Sequence, residues 1–377
     1  MGEKWSRQDQ LKEESDIRRR LLKDIVSKQD SQESNALQLQ RLKSAIRGFV
    51  ARSFAPDHRE QVADMLKQFS YTGDRFAHEA KVFDPGLEPE DIFQALRNLW
   101  ILNSLQVAFS LPVCLNRSGL AYSLLYPYTD NFLDDGTIPE ISKRAFNSFL
   151  VQRLEGQQVT PDSELPARIS DLVGMIEDEY PRGAFPDVYE SLLSIHRAQQ
   201  SSLAQSACRY DVPEEQILRI SVEKGGTSVL ADAFLTKGWL TEEEVEFAFA
   251  YGVFLQLIDD VQDVKEDMSS SNRTMVTLSA ARGELNGMVN RLLKFLGAVL
   301  SPERRSPLPH ATILTELIHR SCRGLIMESI ACHPELFSKD YLQAIEPYSP
   351  LRFGFIRELR REMLSRQSNL REMAVAV

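Results

Sequence analysis

The segment LTEEEVEFAFAYGVFLQLIDDVQDVKED, residues 240–267, decides how the rest of the chain is read. Thr241 and Glu244 have the Thr-x-x-Glu spacing of a capping box, so a helix is specified to begin here and to run for several turns. Asp259, Asp263 and Asp267 stand at i, i+4 and i+8, which sets their carboxylates along one face. Gly252 and Gln256 continue that stripe, and Asp260 lies on its shoulder. Phe247, Phe249, Phe254, Leu257, Ile258, Val261 and Val264 occupy the remaining faces, which predicts a largely buried helix. Like charges one turn apart cost roughly 0.2–0.5 kcal/mol per pair on an open helix surface, and more where water is scarce. A neutralising partner is therefore expected. Oxygen donors without His or Cys suit a hard cation such as Mg²⁺. A solvated salt-bridge face is the competing reading of any acid-rich helix, and the apolar surroundings weigh against it here.

Outward from this segment, apolar positions recur with a 3.6-residue period from about residue 56 onward, and alternating strand patterns are hard to find. The spacing predicts helices over 57–70, 89–111, 120–135, 139–154, 164–179, 186–208, 213–235, 241–268, 284–300, 309–331 and 338–345, an all-α chain. Pro and Gly mark the joints in QQVTPDSELP, EYPRGAFP, SPERRSPLP and EPYSPLRFG. Residues 1–55 read as a charged amphipathic helical extension, with Leu11, Ile17, Leu21, Leu22 and Ile25 at helical spacing, and 56–377 as the main helical domain. No fixed-period repeat is visible, which counts against a solenoid.

A net charge of −10 opposes the long-range attraction that nucleic acid or an anionic membrane requires, so an anionic substrate would have to be met by local cations or bound metal. Cys114, Cys208, Cys322 and Cys332 fall in no metal-ligand spacing and fit a reducing cytosol. The first twenty residues lack the apolar core of an export signal, and Trp100–Leu115, broken by Asn103, Ser104, Gln106, Ser110 and Pro112, is too polar to span a bilayer. A cytoplasmic protein without a transmembrane segment is expected, with homodimerisation left open.

A second acidic cluster lies upstream, Tyr126-Pro-Tyr-Thr-Asp130-Asn-Phe-Leu-Asp134-Asp135-Gly136. Asp130 and Asp134 share a helix face and Gly136 is a natural stop. Such a pair alone is common on exposed helices; its apolar context suggests a buried helix end. Trp100, Ser104, Val107 and Leu111 share another face, a candidate stretch of core or pocket wall.

Gly252 to Asp263, GVFLQLIDDVQD, resembles the second aspartate-rich motif of trans-prenyl diphosphate synthases, GxxFQxxDDxxD, with Leu255 in place of Phe. The run from Gln256 to Asp267 is also similar to the second motif of squalene and phytoene synthases. The Asp130 cluster resembles the first motif of the same class I terpenoid synthase superfamily, DDxxD or DxxxD, with Asn131 replacing one Asp. The resemblance covers these two motifs well and the rest only as a helical pattern. It implies a single large helical bundle around a central cavity, and a trinuclear Mg²⁺ cluster, for which Mn²⁺ can substitute, held by Asp130, Asp134, Asp135, Asp259, Asp263 and Asp267. Asp130, Asp134, Asp259 and Asp263 would be catalytic in ionising a prenyl diphosphate. Lys224, Gln256 and Arg273 would contact substrate, with a helix break at Gly225-Gly226, and Tyr348 and Arg352 would close the site. A plain turn with a solvated Lys224, and a surface role for Arg273, are the competing readings.

Elongating prenyltransferases follow their first motif with an Arg-Arg pair, whereas this chain has Gly136-Thr137-Ile138-Pro139-Glu140, and Lys143 and Arg144 come out of register. Asn272-Arg273-Thr274-Met275 departs from the squalene-type signature. The expectation is a terpene synthase acting on one prenyl diphosphate, followed by a head-to-head coupling enzyme and then an elongating synthase. A helical scaffold or regulatory subunit is the non-enzymatic alternative.

Overall fold

Among the described residues, the apolar periods from residue 56 onward are folded as helix. The computed structural model describes residues 4–18, 43–44, 47–48, 50–206, 212–300 and 309–364, and no strand occurs among them. Leu21, Leu22, Ile25, Cys208 and the end of the helix expected over 186–208 lie outside the described residues, as does the side chain of Asp134. The helices run in order α1 (Arg7–Ile17), α2 (Arg59–Phe83), α3 (Pro89–Ala108), α4 (Arg117–Asp134), α5 (Glu140–Leu154), α6 (Glu164–Glu179), α7 (Pro186–Ser206) and α8 (Glu214–Lys237). There follow α9 (Glu242–Gln262), α10 (Val264–Ser269), α11 (Met275–Ala281), α12 (Leu285–Val299), α13 (Pro309–Cys332), α14 (Lys339–Ile345) and α15 (Phe353–Leu364). The chain is all-α, and no helix among the described residues is long and apolar enough to cross a membrane.

The chain divides into two compact units. One comprises Gln68–Ala204 and Ile220–Val253, the other Met1–Lys67, Gln205–Arg219 and Phe254–Val377. In the first, α4 packs on α3 and α6, and α5 packs on α6. Leu120, Leu124 and Leu125 of α4 and Ile169, Leu172, Val173 and Ile176 of α6 are buried, each such side chain contributing about 1.5–3 kcal/mol. Asn116 caps α4 by accepting from the Gly119 N–H, while its amide donates to Glu179 Oε1 at 2.9 Å and to the Leu235 carbonyl at 3.1 Å. This cap therefore fixes the start of α4 to both α6 and α8.

In the second unit α13 packs against α15 and α12, burying Ile326, Met327 and Ile330. Ser6 caps α1 by accepting from the Asp9 N–H. Gln10 of α1 donates to the carbonyls of Glu346 and Ser349 at 3.1 and 2.9 Å. Arg352, expected at a substrate site, instead donates from Nε to the buried Glu14 carboxylate at 2.6 Å. The Tyr348 carbonyl accepts from Arg323 at 2.7 Å. A carboxylate that stays ionised when buried calls for a paired cation, which accounts for Arg352 being engaged with α1.

Candidate functional site

The first aspartate cluster grows out of α4. Pro127 inside this helix supplies no N–H for the Ser123 carbonyl. Two residues on, the Thr129 hydroxyl donates to the carbonyls of Leu125 and Tyr126 at 2.8 and 3.1 Å, so this part of the helix carries side-chain hydrogen bonding on its own backbone. Tyr128 donates to Asp84 at 2.5 Å, and Arg168 of α6 pairs with the same carboxylate. Burial pushes the Asp84 carboxyl up, but the hydrogen bonds from Tyr128 and Arg168 outweigh it and hold the group below the usual carboxylate range.

Tyr122, Leu125, Tyr126 and Thr129 lie at i, i+3, i+4 and i+7 on α4, and Leu192, Ile195, His196 and Gln199 repeat that spacing on α7. With Leu150 and Leu154 of α5 they line a pocket that is partly open to solvent. Asp130 follows Thr129 directly. It is half-buried and accepts from the Gln199 amide at 3.2 Å, so one side chain both lines the pocket and holds the carboxylate. Helix α4 ends at Asp134, and Asp135 is exposed; its Oδ1 accepts from the Thr137 N–H at 2.7 Å and the Thr137 hydroxyl at 2.6 Å, which holds its carboxyl below the usual range. Lys143 donates to the Leu133 carbonyl and caps the helix end. Asn131 donates to Asp91 at 2.8 Å.

The second cluster is carried by α9 and α10. Thr241 and Glu244 form the expected capping contacts, Glu244 Oε2 accepting from the Thr241 N–H at 2.8 Å and the Thr241 hydroxyl oxygen from the Glu244 N–H at 3.3 Å. The helix expected over 241–268 is interrupted at Asp263, between α9 and α10. The Asp263 N–H still reaches the Asp259 carbonyl at 2.9 Å and the Asp267 N–H the Asp263 carbonyl at 2.8 Å, which keeps the three aspartates in i, i+4, i+8 register. Asp259 and Asp267 are half-buried and Asp263 is exposed. The buried member is Asp260, the shoulder residue, whose Oδ1 accepts from Gln256 at 2.9 Å. Asn272 folds the following loop back, donating from its side chain to Asp267 Oδ1 at 2.8 Å. Arg273 is half-buried, and its backbone N–H donates to the Gln205 carbonyl at 3.3 Å.

Two sequence expectations need correction. Gly225 and Gly226 do not break α8, which runs unbroken from Glu214 to Lys237. They admit α9 instead: a Cβ on Gly252 would stand 2.1 Å from the Gly225 carbonyl oxygen, and one on Gly226 would meet the Phe249 ring at 2.4 Å. Lys224 is half-buried on this continuous helix. Trp100 forms neither core nor pocket wall, being 57% exposed, while Val107 and Leu111 are half-buried.

His196 and Gln199 of the pocket lining, and the hydrogen-bonded pair Asn98 and Asp232 outside it, are polar residues that the motif reading passed over. A signal was present for two of them, since Leu192, Ile195, His196 and Gln199 form one helical stripe that changes from apolar to polar toward its end. The aspartates offer oxygen donors alone, a set that fits Mg²⁺. Among the described residues, which leave out the Asp134 side chain, no three His, Cys, Asp or Glu side chains are gathered as a ready-made metal cage. Compared with protein-family models, with curated proteins and with solved structures, the chain finds no match in any of the three.

Proposed function

We propose that the chain is a Mg²⁺-dependent class I terpene synthase, with the fold of that superfamily, which ionises an allylic prenyl diphosphate and cyclises or rearranges the resulting cation. The observation that carries the reading is the continuity of the pocket with Asp130. An apolar wall of Leu125, Leu150, Leu154, Leu192 and Ile195 suits an isoprenoid chain, and Gln199 links that wall to a half-buried carboxylate. A hydrocarbon tail and a metal-bound diphosphate head are what such a juxtaposition can receive.

Asp130, Asp134, Asp135, Asp259, Asp263 and Asp267 are the proposed metal ligands, by resemblance of their two motifs. Bound Mg²⁺ would supply Lewis-acid stabilisation of the leaving diphosphate. Gln199 orients the Asp130 carboxylate. The allylic C–O bond breaks with its electron pair leaving on the diphosphate oxygen. The leucine wall would limit water around the cation that remains, and Tyr122 and Tyr126 place aromatic side chains in the same lining. Loss of a proton, or capture of water, gives hydrocarbon or alcohol plus inorganic diphosphate. Lys224, Gln256 and Arg273 are the proposed substrate contacts.

The test is incubation of the full chain with C10 to C25 prenyl diphosphates, with Mg²⁺ or with EDTA, and with or without isopentenyl diphosphate, followed by product analysis. Hydrocarbon or alcohol formed from one prenyl diphosphate, and abolished by EDTA, is the expected result. Full turnover in EDTA overturns the metal mechanism. Longer diphosphates formed when isopentenyl diphosphate is added would replace the synthase by an elongating enzyme, and head-to-head dimers by a coupling enzyme.

A further inference from the structure

His196 of α7 is 3% exposed and lines the pocket. Gln200, one turn on, brings its amide nitrogen to 2.9 Å from His196 Nε2. An amide nitrogen can only donate, so Nε2 accepts and the proton of the neutral ring sits on Nδ1. Nδ1 is buried and has no hydrogen-bond partner among the described residues. Burial, with the charge of Arg197 adding to it, pulls the imidazole down to about 4, so the ring is neutral at physiological pH.

Three neighbouring groups on this wall direct their donors elsewhere. The Thr129 hydroxyl donates to backbone carbonyls, the Gln199 amide to Asp130 and the Tyr122 hydroxyl to the Ser228 carbonyl at 3.3 Å. The five aliphatic side chains around them offer His196 nothing. A buried donor left unmade costs more than the same bond contributes when formed, so the site favours a ligand that completes it.

We propose that the pocket receives an elongated apolar molecule bearing one hydrogen-bond-accepting oxygen on its chain, and that His196 Nδ1–H is the donor to that oxygen. A carbonyl or ether oxygen answers this donor directly, because each accepts a hydrogen bond without a proton of its own to place. This goes beyond the proposed function, whose prenyl chain carries no such oxygen; it rests on the same pocket being a ligand site and requires neither metal nor diphosphate.

The experiment titrates the full-length protein, in chelator, with 2-undecanone and with 1-dodecene, which match in length and differ by the carbonyl. The ratio of the two affinities is compared among wild type, His196→Leu and His196→Asn, so that differences in aqueous solubility cancel. The ketone preference is expected to fall about tenfold in His196→Leu and to return in His196→Asn, whose amide can donate from near the place of Nδ1. An equal ratio in wild type and His196→Leu, or binding of neither probe, overturns the proposal. If His196→Leu does not fold, ¹⁵N-histidine spectra of wild type decide: the His196 Nδ1–H resonance moves with saturating ketone and not with alkene, and a resonance that stays still with bound ketone overturns it. Prenyl diphosphate turnover without ketone discrimination would remove this inference and keep the synthase. Discrimination without turnover would do the reverse.

Discussion

Asp232 sits on α8 with no exposed surface; Asn98 donates to its Oδ1 at 2.9 Å, and Oδ2 has no hydrogen-bond partner among the described residues. Burial raises its carboxyl well above the usual range, so the folded chain holds a proton there that the unfolded chain releases near pH 4. A carboxyl with a raised folded value stabilises fully below the unfolded value and loses that contribution as pH rises. Asp232→Asn keeps the acceptor for Asn98 and removes the titration. Its melting temperature should therefore match or trail wild type near pH 4 and gain on it progressively toward pH 8; parallel curves across that range would show that Asp232 ionises in the fold. The motif aspartates answer to the opposite readout. Asp130→Asn, Asp259→Asn and Asp263→Asn should each lower prenyl diphosphate turnover by about 10²–10³, roughly 3–4 kcal/mol in the barrier, with little change in melting temperature. Asp260→Asn, at the buried position tied to Gln256, should cost less turnover than these three. Unfolding of the three variants with retained turnover in the folded remainder would make those aspartates structural.

At the scale of elements, the crossing of α8 and α9 is set by glycine. The Gly252 position leaves no room for a Cβ, because the nearest atom, the Gly225 carbonyl oxygen, belongs to backbone and cannot rotate away. Gly252→Ala should destabilise the chain by about 1–3 kcal/mol in urea unfolding, as overpacking does. Gly324 lies inside α13 with nothing near its missing Cβ, and Gly324→Ala should stabilise by about 0.5–1 kcal/mol through helix propensity and unfolded-state entropy. Equal effects at the two positions would mean that the crossing is looser than described. The same glycines show what the sequence could and could not convey. Period and capping made the helices legible, Thr241 and Glu244 included, because both signals are local. Gly225-Gly226 was misread as a break because a glycine pair within a helix looks alike whether it bends the backbone or admits a neighbour, and only α9 distinguishes the two. The end of α9 at Asp263 and the burial of Asp260 in place of the expected stripe depend on packing from other elements. Asp130 was legible as a motif, but its link to the pocket runs through Gln199, sixty-nine residues away, and no local pattern carries that pairing.

On the scale of the whole molecule, neither compact unit is a continuous stretch of chain, since the one holding the pocket takes Ile220–Val253 as well as Gln68–Ala204. Its later segment completes interactions that the earlier one begins. The Leu235 carbonyl accepts from Asn116 at 3.1 Å, from the Ser118 hydroxyl at 3.3 Å and from the Tyr180 hydroxyl at 3.0 Å, all in or beside the α4 and α6 framework. Asp232 likewise takes the Asn98 amide. Val229, Ala231, Ala233 and Leu235 are buried in the intact chain, so removing α8 would both expose apolar surface and leave several donors unmade. A fragment of residues 59–206, cut at helix ends to contain α2 to α7, is therefore expected to melt without a cooperative transition. A fragment of residues 59–262, which adds α8 and α9, should melt cooperatively. Circular dichroism against temperature separates the two cases. A sharp transition in 59–206, with helix content per residue equal to that of the longer fragment, would mean that the pocket helices fold without α8, and that the buried partners of Leu235 and Asp232 are dispensable to them.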